Sequence, residues 1–469
     1  MKAITNRDTS NESIVPEGKK LRNDMRALVL VPVLKADKRA ARNAQGEASV
    51  PAPTRSSESR LEEAKGLARA IDLDIVEGLI VPVAQPRPAT LLGTGKIEEI
   101  SGMLDAQDAG LVIVDHPLTP VQQRNLEKEW NAKVIDRTGL ILEIFGRRAS
   151  TKEGTLQVDL AHLNYQKGRL VRSWTHLERQ RGGAGFMGGP GETQIEADRR
   201  LLQERIVRLE RELEQVVRTR QLHRAKRRKV PHPIVALVGY TNAGKSTLFN
   251  RITGAGVLAE DMLFATLDPT LRRMKLPHGR TVILSDTVGF ISDLPTHLVA
   301  AFRATLEEVL EADIILHVRD MSDPDNPAQA ADVMRILSDL GIGEKECQER
   351  MIEVWNKIDR LEDEAQEALL QKARTMPNAA ALSAVTGEGV GELLDEIAER
   401  LSGVMTEATV ILTAEKLGIL PWLYEHAIVD AREDLEDGSV SLDVRLSESQ
   451  ALELERRLGN GPKPPPRDW

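Results

Sequence analysis

The sequence is poor in cysteine and lacks long apolar runs. Its 469 residues include one cysteine, Cys347, which excludes an internal disulfide framework and a cysteine-rich metal site. No stretch approaches the run of about 18 apolar residues that spans a bilayer. Residues 1–23 carry neither the apolar core of a secretory signal nor the acid-poor bias of a transit peptide. These absences predict a cytoplasmic protein without stable membrane insertion, with peripheral association at a membrane left open.

The basic residues are clustered along the chain. The net charge of −9 by itself argues against a nucleic-acid partner. However, seven arginines and lysines lie between Arg218 and Lys229 with no acidic residue among them. Such a run is either a solvated surface or a phosphate-binding footprint, and the sequence leaves both interpretations open.

Strand-like and helix-like segments alternate in the first third of the chain. Strands are predicted at residues 27–33, 75–83, 111–115 and 133–135, and helices at 61–71, 97–103 and 120–130. This alternation predicts a parallel α/β sheet. One further helical stretch is predicted from about residue 140 to 177, and its basic residues, among them Lys167 and Arg169, predict a basic face.

A glycine-rich string interrupts the helical pattern. The six glycines in residues 182–191 predict a loop, because glycine raises the cost of ordering the chain. From Glu192 onward, apolar residues recur at the alternating spacings of a helix that packs against one partner helix. These residues are Leu202, Ile206, Leu209, Leu213 and Val216. The sequence therefore predicts an antiparallel helical arm that ends before Pro231 and Pro233.

A strand-like run at residues 234–238 leads into a glycine-containing loop and then a helix, which is the context of a phosphate-binding P-loop. The loop consists of Gly239, Tyr240, Thr241, Asn242, Ala243, Gly244, Lys245 and Ser246. Its backbone amides can point at phosphate oxygens, Lys245 supplies a positive charge, and Ser246 can ligate Mg2+. This segment predicts a nucleoside-triphosphate site.

Three further segments at predicted strand ends complete a guanine-nucleotide site. They are Asp286-Thr287-Val288-Gly289, Asn356-Lys357-Ile358-Asp359 and Ser383-Ala384-Val385. The Asp286 carboxylate can hold the Mg2+ shell, and the Gly289 amide can sense a γ-phosphate. Asp359 offers two acceptors to the N1 and N2 donors of guanine, which adenine does not present in that arrangement, so it selects the base. The backbone of the third segment can reach the guanine O6.

The chain between the P-loop and Asp286 must supply a switch threonine, whose hydroxyl ligates Mg2+ and is released when the γ-phosphate is lost. We predict Thr266, with Thr270 as the second choice. The predicted nucleotide contacts here are Phe264, Ala265, Thr266, Leu267 and Asp268. The predicted catalytic residues are Lys245, Thr266 and Gly289, and the predicted metal ligands are Ser246 and Thr266. The expected cofactor is Mg2+, with GTP or GDP as the bound nucleotide.

These segments together resemble the motifs of translation-factor-class GTPases. The strings at residues 264–270, 115–120 and 181–192 further resemble the HflX family, and the resemblance covers about residues 26 to 457. It implies a GTP hydrolase that binds the large (50S) ribosomal subunit and its rRNA, splits or rescues stalled ribosomes, and acts as a monomer. It leaves room for a role in ribosome biogenesis.

Phe290 departs from the best-known small GTPases, which carry at this position a glutamine that orients the attacking water. A phenyl ring cannot do so. The resemblance implies that HflX-like GTPases share a hydrophobic residue here. Hydrolysis by the protein alone should therefore be slow, and the ribosomal partner should supply or induce the missing group.

Other functions stay open at this point. In one, the N-terminal domain remodels RNA or ribosomes with ATP and the GTPase domain only regulates it. Residues 93–96 look like a truncated P-loop, although a helix-entry turn is the simpler interpretation. In another, the chain is an RNA-modification GTPase, but the expected C-terminal catalytic cysteine is missing. The GxGxxG pattern at residues 183–188 does not predict dinucleotide binding, because no predicted strand precedes it.

The predicted fold is α/β and multidomain, with an N-terminal α/β domain bearing a helical arm, a central P-loop GTPase domain on a doubly wound sheet, and a small C-terminal α/β domain. The predicted boundaries are 1–24 for a disordered tail, 25–182 for the N-terminal domain, 183–230 for the glycine-rich loop and arm, 231–403 for the GTPase domain, 404–458 for the C-terminal domain and 459–469 for a proline-rich tail.

Overall fold

The computed structural model describes residues 23–34, 55–180, 190–227, 232–255, 263–264, 266, 270–292, 303–402, 405–435 and 438–458. Within these ranges the strands form three sheets, of four, six and three strands. Parallel sheets flanked by helices confirm the predicted α/β class. Among the helices described, none is long and apolar enough to cross a membrane.

The first sheet belongs to the N-terminal part of the chain. Its elements and flanking helices are β1 (Asn23–Leu34), α1 (Ser57–Arg69), β2 (Asp74–Val83), α2 (Thr94–Gln107), β3 (Ala109–Val114), α3 (Pro120–Trp130), β4 (Lys133–Asp136) and α4 (Arg137–Arg148). The strand order is β2-β1-β3-β4, and all pairs are parallel. Ala27 and Val29 of β1 join a core with α1 and α4, whereas Leu28 and Leu30 join one with α2 and α3. Helices therefore cover both faces.

The helical arm consists of α5 (Lys152–Gln180) and α6 (Pro190–Arg227), which pack together. Lys167 Nζ donates to Gln203 Oε1 over 2.5 Å. The two residues lie equally far from residues 181–189, so the helices run antiparallel. Ile206 of the predicted seam is 2% exposed. The predicted packing of the arm is confirmed.

Some sequence-based predictions for this region are wrong. The stretch predicted at residues 140–177 is two helices, because Thr151 accepts a hydrogen bond from Gly154 N over 3.0 Å and starts a new helix. Helix α6 begins at Pro190 rather than at residue 192, since proline fits the first turn of a helix. Arg169 does not belong to an open basic face but pairs with buried Asp136 at 2.7 Å. Residues 1–22 and 459–469 of the predicted tails and residues 182–189 of the predicted glycine-rich loop lie outside the described residues. The last two residues of the first predicted tail, 23 and 24, begin β1.

The second sheet forms the centre of the chain. Its elements and helices are β5 (Ile234–Gly239), α7 (Lys245–Thr253), β6 (Thr270–Lys275), β7 (Thr281–Asp286), α8 (Arg303–Leu310), β8 (Ile314–Asp320), α9 (Asn326–Asp339), α10 (Glu344–Arg350), β9 (Met351–Asn356), α11 (Asp363–Thr375), β10 (Ala379–Ala381) and α12 (Val390–Ser402). The order is β10-β9-β8-β5-β7-β6, with only the β6–β7 pair antiparallel within the described strands. The predicted motifs follow β5, β7, β9 and β10 and therefore meet at one edge of the sheet.

The third sheet is small and antiparallel. Its elements and helices are β11 (Met405–Leu412), α13 (Leu420–His426), β12 (Ile428–Asp434), β13 (Val440–Ser447) and α14 (Glu448–Leu458). The strand order is β11-β13-β12. Leu412, Leu423, Leu442 and Leu454 form its core.

The first two sheets are joined by a shared apolar core. Phe145 of α4 belongs to the same buried cluster as Tyr240, Phe264 and Phe290. The rings of Phe145 and Phe264 meet edge to face, with centroids 4.9 Å apart and an interplanar angle of 88°. The loops that follow β5 and β7 therefore lie against the N-terminal domain.

Candidate guanine-nucleotide site

The loop after β5 closes tightly around the start of α7. Lys245 is the first residue of α7, and its Nζ donates to the Tyr240 carbonyl over 2.8 Å. Gly244 has a φ of +93°, and a Cβ at this position would lie 2.2 Å from Asn356 Nδ2. Only glycine fits there. A glycine-containing loop that leads into a helix N-terminus is an arrangement that can bind phosphate.

Asn356 joins the P-loop to the segment after β10. Its Nδ2 donates to the Ala243 carbonyl over 2.8 Å, and its Oδ1 accepts from the Ala384 amide over 2.9 Å. The next residue, Lys357, is held by Asp320 at 2.6 Å. Asp359 is exposed beyond this anchored turn. A carboxylate placed in this way can accept the two hydrogen bonds that guanine offers.

Three oxygen-bearing side chains cluster beside the start of α7. Ser246 Oγ donates to Asp286 Oδ2 over 2.7 Å, and Thr266 Oγ1 donates to the same oxygen over 2.9 Å. The two hydroxyl oxygens lie 3.0 Å apart. Asp286 Oδ1 is buried and has no hydrogen-bond partner among the described residues. The cluster therefore combines two hydroxyls with a carboxylate that keeps an unused acceptor.

Burial sets the electrostatics of the two charged groups in the site. It lowers the pKa of Lys245 to about 8, although the charge of Asp286 opposes this shift. It also raises the pKa of Asp286, against the hydrogen bond from Ser246 and the charge of Lys245. A bound polyphosphate would raise the Lys245 pKa again, because negative charge favours the ammonium form.

Gly289 lies close to the P-loop. A Cβ at this position would lie 2.8 Å from Thr241 Cγ2 and 3.1 Å from Lys245 Nζ. Any side chain here would push the segment after β7 away from the loop. Thr287 fixes the approach, since its Oγ1 donates to the Leu237 carbonyl over 2.5 Å.

The remaining predicted residues differ in where they lie. Thr270 opens β6, whereas Thr266 contacts the Asp286 carboxylate, so the geometry favours Thr266 as the switch threonine. Gly93 is the N-cap of α2, which confirms the helix-entry turn. Among the other predicted residues, the buried ones are Val288, Ile358 and Ser383, whereas Val385 is exposed. The predicted residues outside the described ranges are Ala265, Leu267 and Asp268.

Sequence reasoning missed a charged cluster between the N-terminal sheet and the loops after β5 and β7. Arg137 pairs with Asp115 and, at 2.5 Å, with Glu63, and it donates to the Ser292 carbonyl over 3.0 Å. Arg55 pairs with Glu63 at 2.5 Å. Two signals could have indicated this cluster. Asp115 and Arg137 directly follow parallel strands, and Glu63 interrupts the buried apolar face of α1.

Consecutive parts of the chain match four families. Residues 58–146 match the family described as GTP-binding GTPase N-terminal, and residues 148–227 match GTP-binding GTPase Middle Region. Residues 234–357 match 50S ribosome-binding GTPase, and residues 368–469 match HflX C-terminal domain. GTPase HflX of Magnetococcus marinus is 50% identical over 389 residues, covering 82% of this chain and 88% of that protein. The chain belongs to the HflX family.

A second HflX relative supports the same assignment. GTPase HflX of Escherichia coli K12 is 45% identical over 386 residues, covering 82% of this chain and 89% of that protein. The resemblance to HflX and the predicted GTP hydrolase activity are confirmed. A GTP-binding protein from Sulfolobus solfataricus, solved with GDP, aligns to 80% of this chain and 98% of its own at 22% identity and a TM-score of 0.42. That similarity is too low to carry an argument.

Proposed function

We propose that this HflX protein binds the large (50S) ribosomal subunit and uses GTP binding and hydrolysis to split or rescue stalled ribosomes. The observation that carries the proposal is the match of residues 234–357 to the family described as 50S ribosome-binding GTPase. Membership of HflX over most of the chain supports it. A role in ribosome biogenesis belongs to the same proposal.

Each part of the candidate site has a proposed role in this cycle. The amides of residues 239–246 bind the phosphates, and Lys245 balances their charge. Asp359 selects guanine, and the Ala384 amide, held by Asn356, faces the guanine O6. The Gly289 amide senses the γ-phosphate, and the absence of a side chain at this position lets the segment lie close to the P-loop.

Mg2+ is the proposed cofactor, and the residues present fit it. The oxygens of Ser246, Thr266 and Asp286 lie within 3.0 Å of one another, and oxygen ligands are those that Mg2+ prefers. Ser246 and Thr266 would hold the ion directly, and Asp286 would hold its water shell. When bound, the ion neutralises phosphate charge. Release of the Thr266 hydroxyl after γ-phosphate loss would open the switch.

The helical arm is the proposed contact with ribosomal RNA. The glycine-rich residues 182–191 run into the first turn of α6, and their glycines would let the backbone approach phosphates and bases closely. Arg179 and Arg181 add positive charge beside them. We place these residues in the functional centre of the large subunit, with the protein acting as a monomer.

Light scattering of intact ribosomes mixed with the protein tests the proposal. We expect dissociation with GTP or a non-hydrolysable analogue and little with GDP. A variant with residues 182–191 replaced by a Ser/Ala loop of equal length should keep its GTP affinity and fail to split ribosomes. Splitting that is independent of nucleotide would contradict the proposed function. Splitting at the native rate by the loop variant would show that recognition lies elsewhere.

The same assay decides the alternative in which the N-terminal domain works with ATP. Splitting that runs on ATP alone, and is unaffected by Asp359→Asn, would support that alternative. Loss of splitting in Asp359→Asn, with ATP unable to replace GTP, would exclude it.

A further inference from the structure

One helix of the N-terminal domain touches both nucleotide-sensing segments. Helix α4 begins at Arg137, which donates to the carbonyl and hydroxyl oxygens of Ser292 over 3.0 and 3.2 Å. Further along α4, Phe145 packs edge to face on Phe264. Ser292 lies shortly after Gly289, and Phe264 lies just before Thr266. Helix α4 therefore contacts the two segments that change position in GTPases when the γ-phosphate is lost.

A buried network braces the contact at Ser292. Glu63 accepts hydrogen bonds from Arg137, Arg55 and the Tyr240 hydroxyl, and Ser292 N donates to Tyr240 Oη over 2.9 Å. Burial alone would raise the pKa of Glu63, but Arg137 and Arg55 outweigh it, so the pKa lies below its ordinary value. Glu63 therefore stays charged. The paired charges hold Ser292 against α4, although the Nε atoms of Arg55 and Arg137 have no hydrogen-bond partner among the described residues.

The residue before Arg137 ties α4 to the helical arm. Asp136 is 2% exposed and caps α4 by accepting from Gly139 N over 2.8 Å. The same carboxylate accepts from the Tyr165 hydroxyl over 2.6 Å and pairs with Arg169 at 2.7 Å. Tyr165 and Arg169 both belong to α5, the first helix of the arm. Burial, and then the charge of Asp136, raise the pKa of Tyr165 well above its ordinary value, so its hydroxyl remains a donor.

The adjacent residues Asp136 and Arg137 thus contact two different parts of the protein. Arg137 holds the segment after Gly289, and Asp136 holds the middle of α5, the first helix of the arm. We propose that α4, with its N-cap Asp136, transmits the nucleotide state from the two switch segments to the helical arm. The proposal rests on the proposed function for the switch roles of the segments at Gly289 and Thr266 and for the arm's role at the ribosome. Coupling of this kind needs an element that both sites bias, and α4 is in contact with both.

Coupling between two sites is reciprocal. If nucleotide exchange at the switch segments shifts the arm through α4, then fixing the arm must change the relative affinities for GTP and GDP by the same factor. A ribosome that captures the arm would therefore act on Ser292 and Phe264 from a distance, without touching the nucleotide.

The test measures the position of the arm in the full-length protein without ribosomes. Spin labels are placed at Arg208→Cys of α6 and Lys345→Cys of α10, whose side chains are 81% and 87% exposed. Cys347, which is buried, is replaced by serine in the same parent. We expect the distance distribution between the labels to differ between GDP and a non-hydrolysable GTP analogue. No difference in the parent would overturn the proposal.

Two small substitutions then interrupt the connection at its two ends. Tyr165→Phe removes only the hydroxyl that binds Asp136, and Phe145→Leu removes the ring that meets Phe264. We expect Tyr165→Phe to lose most of the nucleotide-dependent shift while its GTP affinity stays within about twofold of the parent, because the Tyr165 hydroxyl binds Asp136 and not a nucleotide-binding segment. Phe145→Leu should reduce the shift as well. The full parental shift in both variants would overturn the proposal.

Arg147→Met is the matched control on α4. Its side chain is 48% exposed and pairs with Asp72 at 2.9 Å on the surface. This variant should keep the parental shift, so a general weakening of α4 can be told apart from a break in the connection. Loss of the shift in the control as well would show that the arm responds to stability alone, which contradicts the proposal.

Failure of this proposal and failure of the proposed function give different results. A nucleotide-dependent shift without ribosome splitting would count against the proposed function and leave transmission through α4 standing. Ribosome splitting without any shift of the arm would support the proposed function and count against transmission through α4.

Discussion

Phe290 and Tyr240 form a parallel β-bridge between the segment after β7 and the P-loop. Thr241 N donates to the Phe290 carbonyl over 2.8 Å, and Phe290 N donates to the Gly239 carbonyl over 3.1 Å. The Phe290 side chain is 2% exposed and packs in the core shared by the two domains. The side chain at the position of the water-orienting glutamine is therefore committed to packing.

Phe290→Gln should not accelerate the protein's own GTP hydrolysis, because this side chain points into the shared core. The substitution buries an amide and removes ring packing, so it should destabilise the protein by about 2–4 kcal/mol. Single-turnover hydrolysis and chemical unfolding measure the two effects. Phe290→Leu, which stays apolar, is the control and should lose less stability. An acceleration of about tenfold or more by glutamine would show that the side chain reaches the nucleotide.

Asp359→Asn should weaken GTP binding by about a hundredfold or more and shift the preference towards xanthine nucleotides. The reason is that the paired hydrogen bonds to guanine need two acceptors on one side chain. Competition binding with GTP and XTP measures the change. Asp363→Asn, an exposed aspartate at the start of α11, is the matched control and should bind GTP normally. Unchanged GTP affinity in Asp359→Asn would contradict the proposal that Asp359 binds the guanine base.

Thr266→Ala should lower GTP hydrolysis by about a hundredfold and reduce its dependence on Mg2+, because it removes one hydroxyl of the oxygen cluster. Thr270→Ala removes the same group from the start of β6 and should remain close to the parent. The measurement is the hydrolysis rate across a Mg2+ titration. The reverse ranking of the two variants would make Thr270 the switch residue.

Lys245 should make nucleotide binding depend on pH. Its pKa of about 8 means that much of the protein carries a neutral lysine at pH 9. Bound phosphate favours the charged form, so binding must take up about one proton at pH 9 and much less at pH 7. Affinity should accordingly fall as the pH rises above 8. Calorimetry in buffers of different ionisation heat counts the protons, and equal uptake at both pH values would contradict the shift.

The nucleotide-binding loops could be predicted because their chemistry is local in sequence. Residues 239–246 carry strand, loop and helix signals together, and the parallel order of strands brings Asp286 and Asn356 to the same edge. Alternating apolar runs were enough to predict the α/β class. The break between α4 and α5 was missed because one capping threonine, Thr151, is a weak signal inside a long helical pattern.

The contacts between the domains could not be predicted from one sequence. Glu63, Arg137 and Ser292 are far apart along the chain, and no local periodicity records that two separate sheets pack together. The same limit explains why Arg169 was assigned to a basic face. The helical periodicity of α5 predicts which residues share a face of the helix. Only the packing of α5 against Asp136 shows that Arg169 is paired.

In the proposed function, the large ribosomal subunit switches this GTPase. Steady-state GTP hydrolysis with and without purified 50S subunits tests it most directly. Because Phe290 supplies no polar group, we expect turnover by the protein alone to lie well below about one per second and to rise at least about tenfold with 50S subunits. Fast turnover by the protein alone, with no change when 50S subunits are added, would contradict the proposed function.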